Sequence, residues 1–458
     1  MNGRLSDRQV VLAVLASVGL VVVLCIGLVA VGLLVFLGDR AQQNVEATID
    51  GVDRIAYVSA DNELFIMDKE GGNVEYLAVG GVTAALAHPA WSPDGRRVAF
   101  IAQRETEQGV ESILYTVSTA GESSTRLYAS ADHPAFYLYW SPNSQYVSFL
   151  TQEDTGLALR LAPADGSQDA QVLDRGAPFY WSWSPDSQEM LMHIGGARRF
   201  SEEARLAILT GQPESLPDVL DDVPTDFQAP AWSPDGDRLL YAGEDEDGQQ
   251  ALYIRQRESG AVEKLASVSG FLRFNWSPDG RWVAYQQVDD PRLAPLGHIY
   301  VVPVPGDGEQ EAQAGGEKSG AQRVSRDMAL AFFWSPDSQR LAILAPSVEE
   351  EGPSTRVGGL AAPVPQERRL LFRWWVADLP GGELQPLASF LPTRSFLLIV
   401  PYFDQYAQSI RFWSPDSRYL IYSHQESPQE AGIWVADVER QQPPRRLADG
   451  VLAVWSWQ

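Results

Sequence analysis

A chain of 458 residues with 45% hydrophobic, 10% aromatic and 21% charged residues is too rich in core-forming side chains to stay disordered and too long to wrap one conventional core, so a repeat architecture or several domains is expected. Its formal charge of −25, with basic residues clustered no further than pairs such as Arg96/Arg97 and Arg445/Arg446, excludes an extended phosphate-binding surface, and no nucleic-acid partner is expected. The single cysteine, Cys25, excludes a disulfide framework and a cysteine-based zinc site.

Residues 1–9 read as a short cytoplasmic stub, and the stretch from Val10 to Gly38 then runs 29 residues without a charge. As a helix it would be about 43 Å long against a hydrocarbon core of about 30 Å, enough to span with tilt. It is too long for the apolar part of a cleaved signal peptide, and Cys25 follows Leu24 rather than the small residue an acylation site would need. A retained transmembrane anchor over 10–38 is therefore expected. Arg4 and Arg8 precede the span and Arg40 and Arg54 follow it; the closeness of Arg8 and the free amino terminus favour the N-terminus inside. Residues 39–52 read as a linker, and 53–458 fall outside the cytoplasm, in the periplasm or beyond. With Arg4, Arg8 and Asp7 set aside, 33 basic and 59 acidic residues leave a net −26 on residues 39–458, which holds that part off an anionic bilayer.

From residue 53 onward one phrase recurs. The stretch AWSPDGRRVAF at 90–100 returns around Trp140, Trp183, Trp232, Trp276, Trp334 and Trp413, and an apolar triplet follows seven to nine positions after each Trp, from Val98-Ala99-Phe100 to Leu420-Ile421-Tyr422. Ser-Pro-Asp-Gly, or Ser-Pro-Asn/Asp-Ser, supplies the fixed angle, the side-chain hydrogen bond and the left-handed position of a tight hairpin. Ser144, Ser187, Ser338 and Ser417 stand where Gly95, Gly236 and Gly280 stand in the other copies, so either the angle there is not always positive or modest strain is tolerated. The strand after each turn is apolar almost without alternation, as suits a sheet covered on both faces. Third strands such as SILYTV and GIWVAD and short fourth strands complete units of four.

A repeat of 42 to 49 residues with four strands predicts an all-β, eight-bladed β-propeller of four-stranded blades over 53–458, with seven blades as the fallback if the long 334–413 interval hides a miscount. Residues 54–78 lack a Trp strand, while the tail VLAVWSWQ supplies one with Trp455, so the N- and C-terminal segments are expected to pair and close the ring. The WSPDG unit and its apolar triplet resemble the repeat of the TolB family of bacterial propellers and are similar to the propeller domain of prolyl oligopeptidase-like peptidases. The resemblance covers nearly all of 53–458 and implies a fold that serves binding, scaffolding or substrate gating alike. Unlike TolB, the chain is expected to carry only an anchor and linker before the ring.

Catalytic signals are sparse. There is no G-x-S-x-G elbow, and only three residues follow Trp455, so prolyl-peptidase activity within this chain is not expected. His88, His133, His193, His298 and His424 stand too far apart in sequence for a local metal site, and His88-Pro89 and His133-Pro134 read as turns. GEDEDGQQ at 243–250 lacks the ligand spacing of a calcium loop and reads as a hairpin tip. No catalytic residue, metal or cofactor is expected.

Two units are enlarged. Residues 303–322 and 346–367 are Gly/Pro-rich or acidic and read as flexible decoration. Residues 389–408 instead gather apolar side chains, and either fold onto the ring as extra structure, the favoured reading, or present an apolar patch to a partner. On the second reading Phe390, Phe396, Tyr402, Phe403 and Tyr406 are the candidate partner-binding residues. The expected function is a membrane-anchored, extracytoplasmic module binding a protein, peptide or glycan at one rim of the ring. The rivals are a propeller hydrolase or lyase with residues drawn from different blades, and a structural subunit of an envelope complex.

Overall fold

The computed structural model describes residues 53–458 apart from 78–85, 108, 121–123, 197–203, 211–215, 226–227, 245–246, 289, 306–319 and 351–367. The chain divides into two units, 1–50 and 51–458, and the described residues belong to the second. The anchor expected over 10–38 and the linker over 39–52 lie outside them. Among the described residues no helix is long and apolar enough to cross a membrane.

Eight antiparallel sheets follow one another along the chain, seven of four strands and one of three. They are numbered as blades 1 to 8, each with its Trp-bearing first segment innermost; the first strands of blades 1 and 2, 2 and 3, and 4 and 5 touch one another. Blade 1 joins the two ends of the described chain, since Leu452–Trp455 pairs with Arg54–Val58 in the register Ile55↔Trp455 to Val58↔Leu452. The expected closure is therefore present. Blades 2 to 7 begin with Leu86–Trp91, Ala135–Trp140, Phe179–Trp183, Ala231–Trp232, Phe271–Trp276 and Ala331–Trp334. Blade 8 departs from the expected four strands. Its Trp413 makes a lone bridge to Leu420, because the chain arriving there comes out of the centre of the ring rather than along a blade. The apolar triplets fill the spaces between blades: Val98, Ala99, Phe100, Leu341, Leu420 and Ile421 are all fully buried.

The seven motif copies explain why the phrase is repeated. Each motif serine is buried, donates to the Asp or Asn two residues on at 2.5 to 2.7 Å, and accepts the backbone N–H five residues on, locking the hairpin. The indole N–H reaches across to the preceding blade. Trp91 donates to the Val454 carbonyl, Trp140 to Ala90, Trp232 to Ser182, Trp276 to Ala231, Trp334 to Asn275 and Trp413 to Phe333, at 3.0 to 3.4 Å. The acceptor is always the residue just before the previous blade's Trp. Trp183 instead uses the Ser148 hydroxyl and Trp455 the Asp53 carboxylate. The motif is thus consumed by the architecture.

The last motif position settles the question raised by Gly and Ser sharing it. All seven residues have positive φ, 60–64° at the four serines and 69–83° at the three glycines. The serines offset their strain with a second inter-blade bond: Ser144, Ser187, Ser338 and Ser417 accept the backbone N–H of Asp94, Asn143, Asp279 and Asp337 in the blade before, at 2.9 to 3.0 Å. At Gly236 a Cβ would meet only Pro185 of blade 4, at 3.5 Å. Gly236→Ala should therefore cost about 1–2 kcal/mol for the left-handed backbone, whereas Gly236→Ser, placing a hydroxyl beside the Asp186 amide, should recover about 1 kcal/mol of it. Denaturant midpoints of the two variants would show this, and equal midpoints would refute the clamp.

Candidate binding face at the plugged mouth of the ring

The fourth strand of blade 7 ends at Phe390, and the chain then makes a six-residue helix, Arg394–Ile399, a 3-10 turn, Val400–Tyr402, and a last helical turn, Phe403–Tyr406. The Thr393 side chain caps the first helix by accepting from the Phe396 N–H at 3.3 Å, and its hydroxyl donates to the Val451 carbonyl, tying the segment to the tail of the chain. Phe396, Ile399, Val400 and Phe403 follow helical spacing and are all buried, while Leu397, Leu398 and Tyr402 face outward.

Four consecutive residues then reach most of the way round the ring. Phe403 packs edge-on against Phe332 and Phe333 of blade 7. The Asp404 carboxylate lies beside the Ala229 backbone at the start of blade 5 and 3.9 Å from Arg273 Nε of blade 6. Gln405 Nε2 donates to the Trp181 carbonyl of blade 4 and to the Tyr137 hydroxyl of blade 3, which itself donates to the Gln405 carbonyl at 3.0 Å. The Tyr406 ring stacks on His88 of blade 2 at 5.4 Å. One short segment can touch six blades only from the axis, so residues 403–410 plug the central channel at the mouth where the innermost strands begin. Burial raises the Asp404 carboxyl above its ordinary range against the opposing pull of Arg273. Arg273 is held in turn by Gln286, whose Oε1 accepts from its Nη1 at 2.8 Å.

Of the five candidate partner-binding residues, Phe390, Phe396 and Phe403 are fully buried and Tyr406 is 8% exposed; Tyr402 alone, at 52%, meets solvent. The segment therefore folds onto the ring and also presents an outward face, carried by Leu397, Leu398 and Tyr402. Sequence reasoning missed Leu398 as a surface residue and Asp404 as a buried one, although the i, i+3, i+4, i+7 spacing from Phe396 to Phe403 was there to be read. Fourteen large hydrophobic side chains are exposed among the described residues, and nine of them, including Val110, Phe136, Leu293 and Val348, lie on the loops and strand ends of this same mouth. None lies on a WSPDG turn.

His133 occupies a bend beside Glu153, but His88 sits inside the first strand of blade 2, at a bulge with φ 56°. His193 is buried, its Nδ1 3.0 Å from the Gln228 carbonyl. Among the described residues no three His, Cys, Asp or Glu side chains gather as metal ligands. The acidic tip at 243–250 falls partly outside the described residues. Residues 346–350, expected as flexible decoration, extend a strand that pairs with 368–372, so blade 7 carries a long hairpin on the plugged side. A cleft of about 630 Å³ opens between blades 4 and 5, where Asp222 binds both Arg255 and the Tyr241 hydroxyl, at 2.7 and 2.6 Å.

No protein-family model matches the chain. A Tol-Pal system protein TolB from Alcanivorax borkumensis is 37% identical over 59 residues, 13% of this chain and 14% of that protein's length. Among solved structures, the dihydro-heme d1 dehydrogenase NirN superposes with a TM-score of 0.51 at 17% identity, covering 88% of this chain and 74% of that one, a likeness of fold alone. TolB from Acinetobacter baumannii gives a TM-score of 0.36 at 17% identity, over 56% of this chain and 62% of that one. Seven copies of the WSPDG phrase and the ring of eight blades make this chain a β-propeller, and over 59 residues its sequence is similar to that of TolB.

Proposed function

We propose that the protein is a membrane-anchored, extracytoplasmic binding module that holds a protein partner on the plugged face of its ring. The observation that carries this reading is the collection of exposed apolar side chains on that one face, with Leu398 and Tyr402 60% and 52% exposed. Such a surface favours a protein over a glycan, whose hydroxyls would find few partners there. The channel, where a propeller enzyme could admit a substrate, is filled by the chain's own residues, which weighs against the hydrolase or lyase alternative. The likeness to a protein named for a system rather than for a reaction also fits a binding role. Anchoring rests on the uncharged stretch 10–38.

Deleting 389–408 would strip Phe390, Phe396 and Phe403 from the core, so the test substitutes the outward face instead. Leu398→Asp with Tyr402→Asp, in detergent-solubilised full-length protein, should leave the melting temperature within a few degrees and weaken stoichiometric partner capture about tenfold or more. Unchanged capture by a folded double variant would refute the reading.

A further inference from the structure

The repeat is broken at two positions, and the two breaks touch. Two residues before the motif Trp every unit but one carries an apolar side chain, Pro89, Leu138, Phe274 and Phe332 among them; blade 8 carries Arg411. Two residues after the Trp every unit but one carries Pro; blade 1 carries Trp457. The Arg411 guanidinium lies over the Trp457 ring, 4.5 Å from its centre, and Nη1 donates to the Trp457 carbonyl at 2.9 Å. The Trp457 indole is anchored in turn by the Trp91 carbonyl at 3.1 Å, so the planar fork is held in one setting. Its other two nitrogens, Nε and Nη2, have no hydrogen-bond partner among the described residues, yet neither is sealed from solvent. No carboxylate among those residues pairs with Arg411, and burial draws its guanidinium down to about 10 with no charged neighbour to oppose it. Arg411 and Trp457 border a cavity of about 150 Å³ walled by Phe333, Trp334, Trp413 and Pro336, between the end of the plug and the mouth where the innermost strands finish. The ring itself is served by an apolar residue at this position in seven units, and a partly buried cation without a counter-ion is costly, so the architecture does not account for Arg411.

We propose that this cavity binds a carboxylate carried on a small apolar body, a single ring or a short branched chain, with Arg411 Nε and Nη2 donating to the two carboxylate oxygens. Two parallel N–H donors on one edge of a guanidinium match a carboxylate in shape as well as in charge. An engineered apolar cavity of about 150 Å³ takes up benzene, which sets the size of the body. The aromatic walls disfavour an anion hydrated on every side, such as inorganic phosphate. The carboxylate can belong to a free acid or to the C-terminus of a polypeptide; the recognition chemistry is the same. The site does not depend on the plugged face, since it opens at the other end of the ring.

The test titrates full-length protein in detergent with 4-fluorobenzoate and follows the ligand by fluorine NMR. Saturable line broadening is expected, with 4-fluorobenzamide, which keeps the ring and lacks the charge, bound about tenfold or more weakly. Arg411→Met restores an apolar side chain like those of the other units; it should abolish binding and leave the unfolding midpoint unchanged or higher, because a partly buried unpaired charge is removed. Arg411→Lys keeps the charge without the fork, and should weaken binding about tenfold. Were Arg411 only a strut for Trp457, Arg411→Met would lower the midpoint and wild-type protein would not bind the ligand. Competition by N-acetylphenylalanine at least as strong as by benzoate assigns the carboxylate to a polypeptide C-terminus; weaker competition assigns it to a free acid. Absence of saturable binding, equal affinity for the amide, equal competition by inorganic phosphate, or binding indifferent to Arg411→Met would each overturn the proposal. Partner capture is read on Leu398→Asp with Tyr402→Asp and ligand binding on the Arg411 variants, so either reading can fall without the other.

Discussion

Trp455→Ala should destabilise the ring by about 3–5 kcal/mol, the usual penalty for emptying a fully buried aromatic site, and deletion of residues 452–458 should prevent the native fold from forming. The physical reason is that this strand closes the circle. Trp455 is 1% exposed, its indole donates to Asp53 at 2.9 Å, and its backbone N–H donates to the Arg411 carbonyl at 2.8 Å, so one residue ties blade 1 to the segment entering blade 8. Around it the Arg54 N–H donates to the Ser456 hydroxyl and the Trp457 indole donates to the Trp91 carbonyl of blade 2. Losing the strand would expose the edge formed by Arg54–Val58 and unpair blade 1 from both neighbours. Denaturant unfolding checks this directly. Tyr76→Ala, in the outermost strand of the same blade and 51% exposed, should move stability by no more than about 0.5 kcal/mol, and a Trp455→Ala midpoint that matched it would refute the closure.

The second large effect is expected one turn inside the plug. Phe403→Ala should cost about 3–5 kcal/mol, while Tyr402→Ala, its immediate neighbour, should stay within about 0.5 kcal/mol. Phe403 is fully buried, its ring 4.7 Å from Phe332 and 6.0 Å from Phe333, both edge-on, whereas Tyr402 is half exposed. The contrast tests the rotational setting of the segment about its own axis, since a one-residue change would exchange the two outcomes. Unfolding midpoints of both variants decide it. The expected order also protects the binding tests, because Tyr402 and Leu398 can be changed without emptying the core.

Much of the ring was legible in the chain because its information is local. Trp, Ser, Asp and Gly or Ser recur at constant offsets, and each offset corresponds to a hydrogen bond within one hairpin or to the blade next door, as with Ser92 and Asp94 or Trp140 and Ala90. A repeat that contacts chiefly its neighbours carries its tertiary contacts in its own spacing, so the blade number, the strand order and the joining of the two ends could be read from the letters. The plug could not be read in this way. That residues 389–408 are apolar was plain, but where they pack depends on blades distant in the chain: Tyr137 against Gln405, Arg273 beside Asp404, Phe332 against Phe403. No periodicity links those pairs. The sequence therefore determined the eight blades and their closure, through short-range turn chemistry repeated in register. Only the tertiary structure decided that the apolar insertion at 389–408 turns inward to fill the channel, burying four of its aromatic rings and leaving Tyr402 and Leu398 outside, because that choice is set by the shape of a space which exists only once the ring has closed.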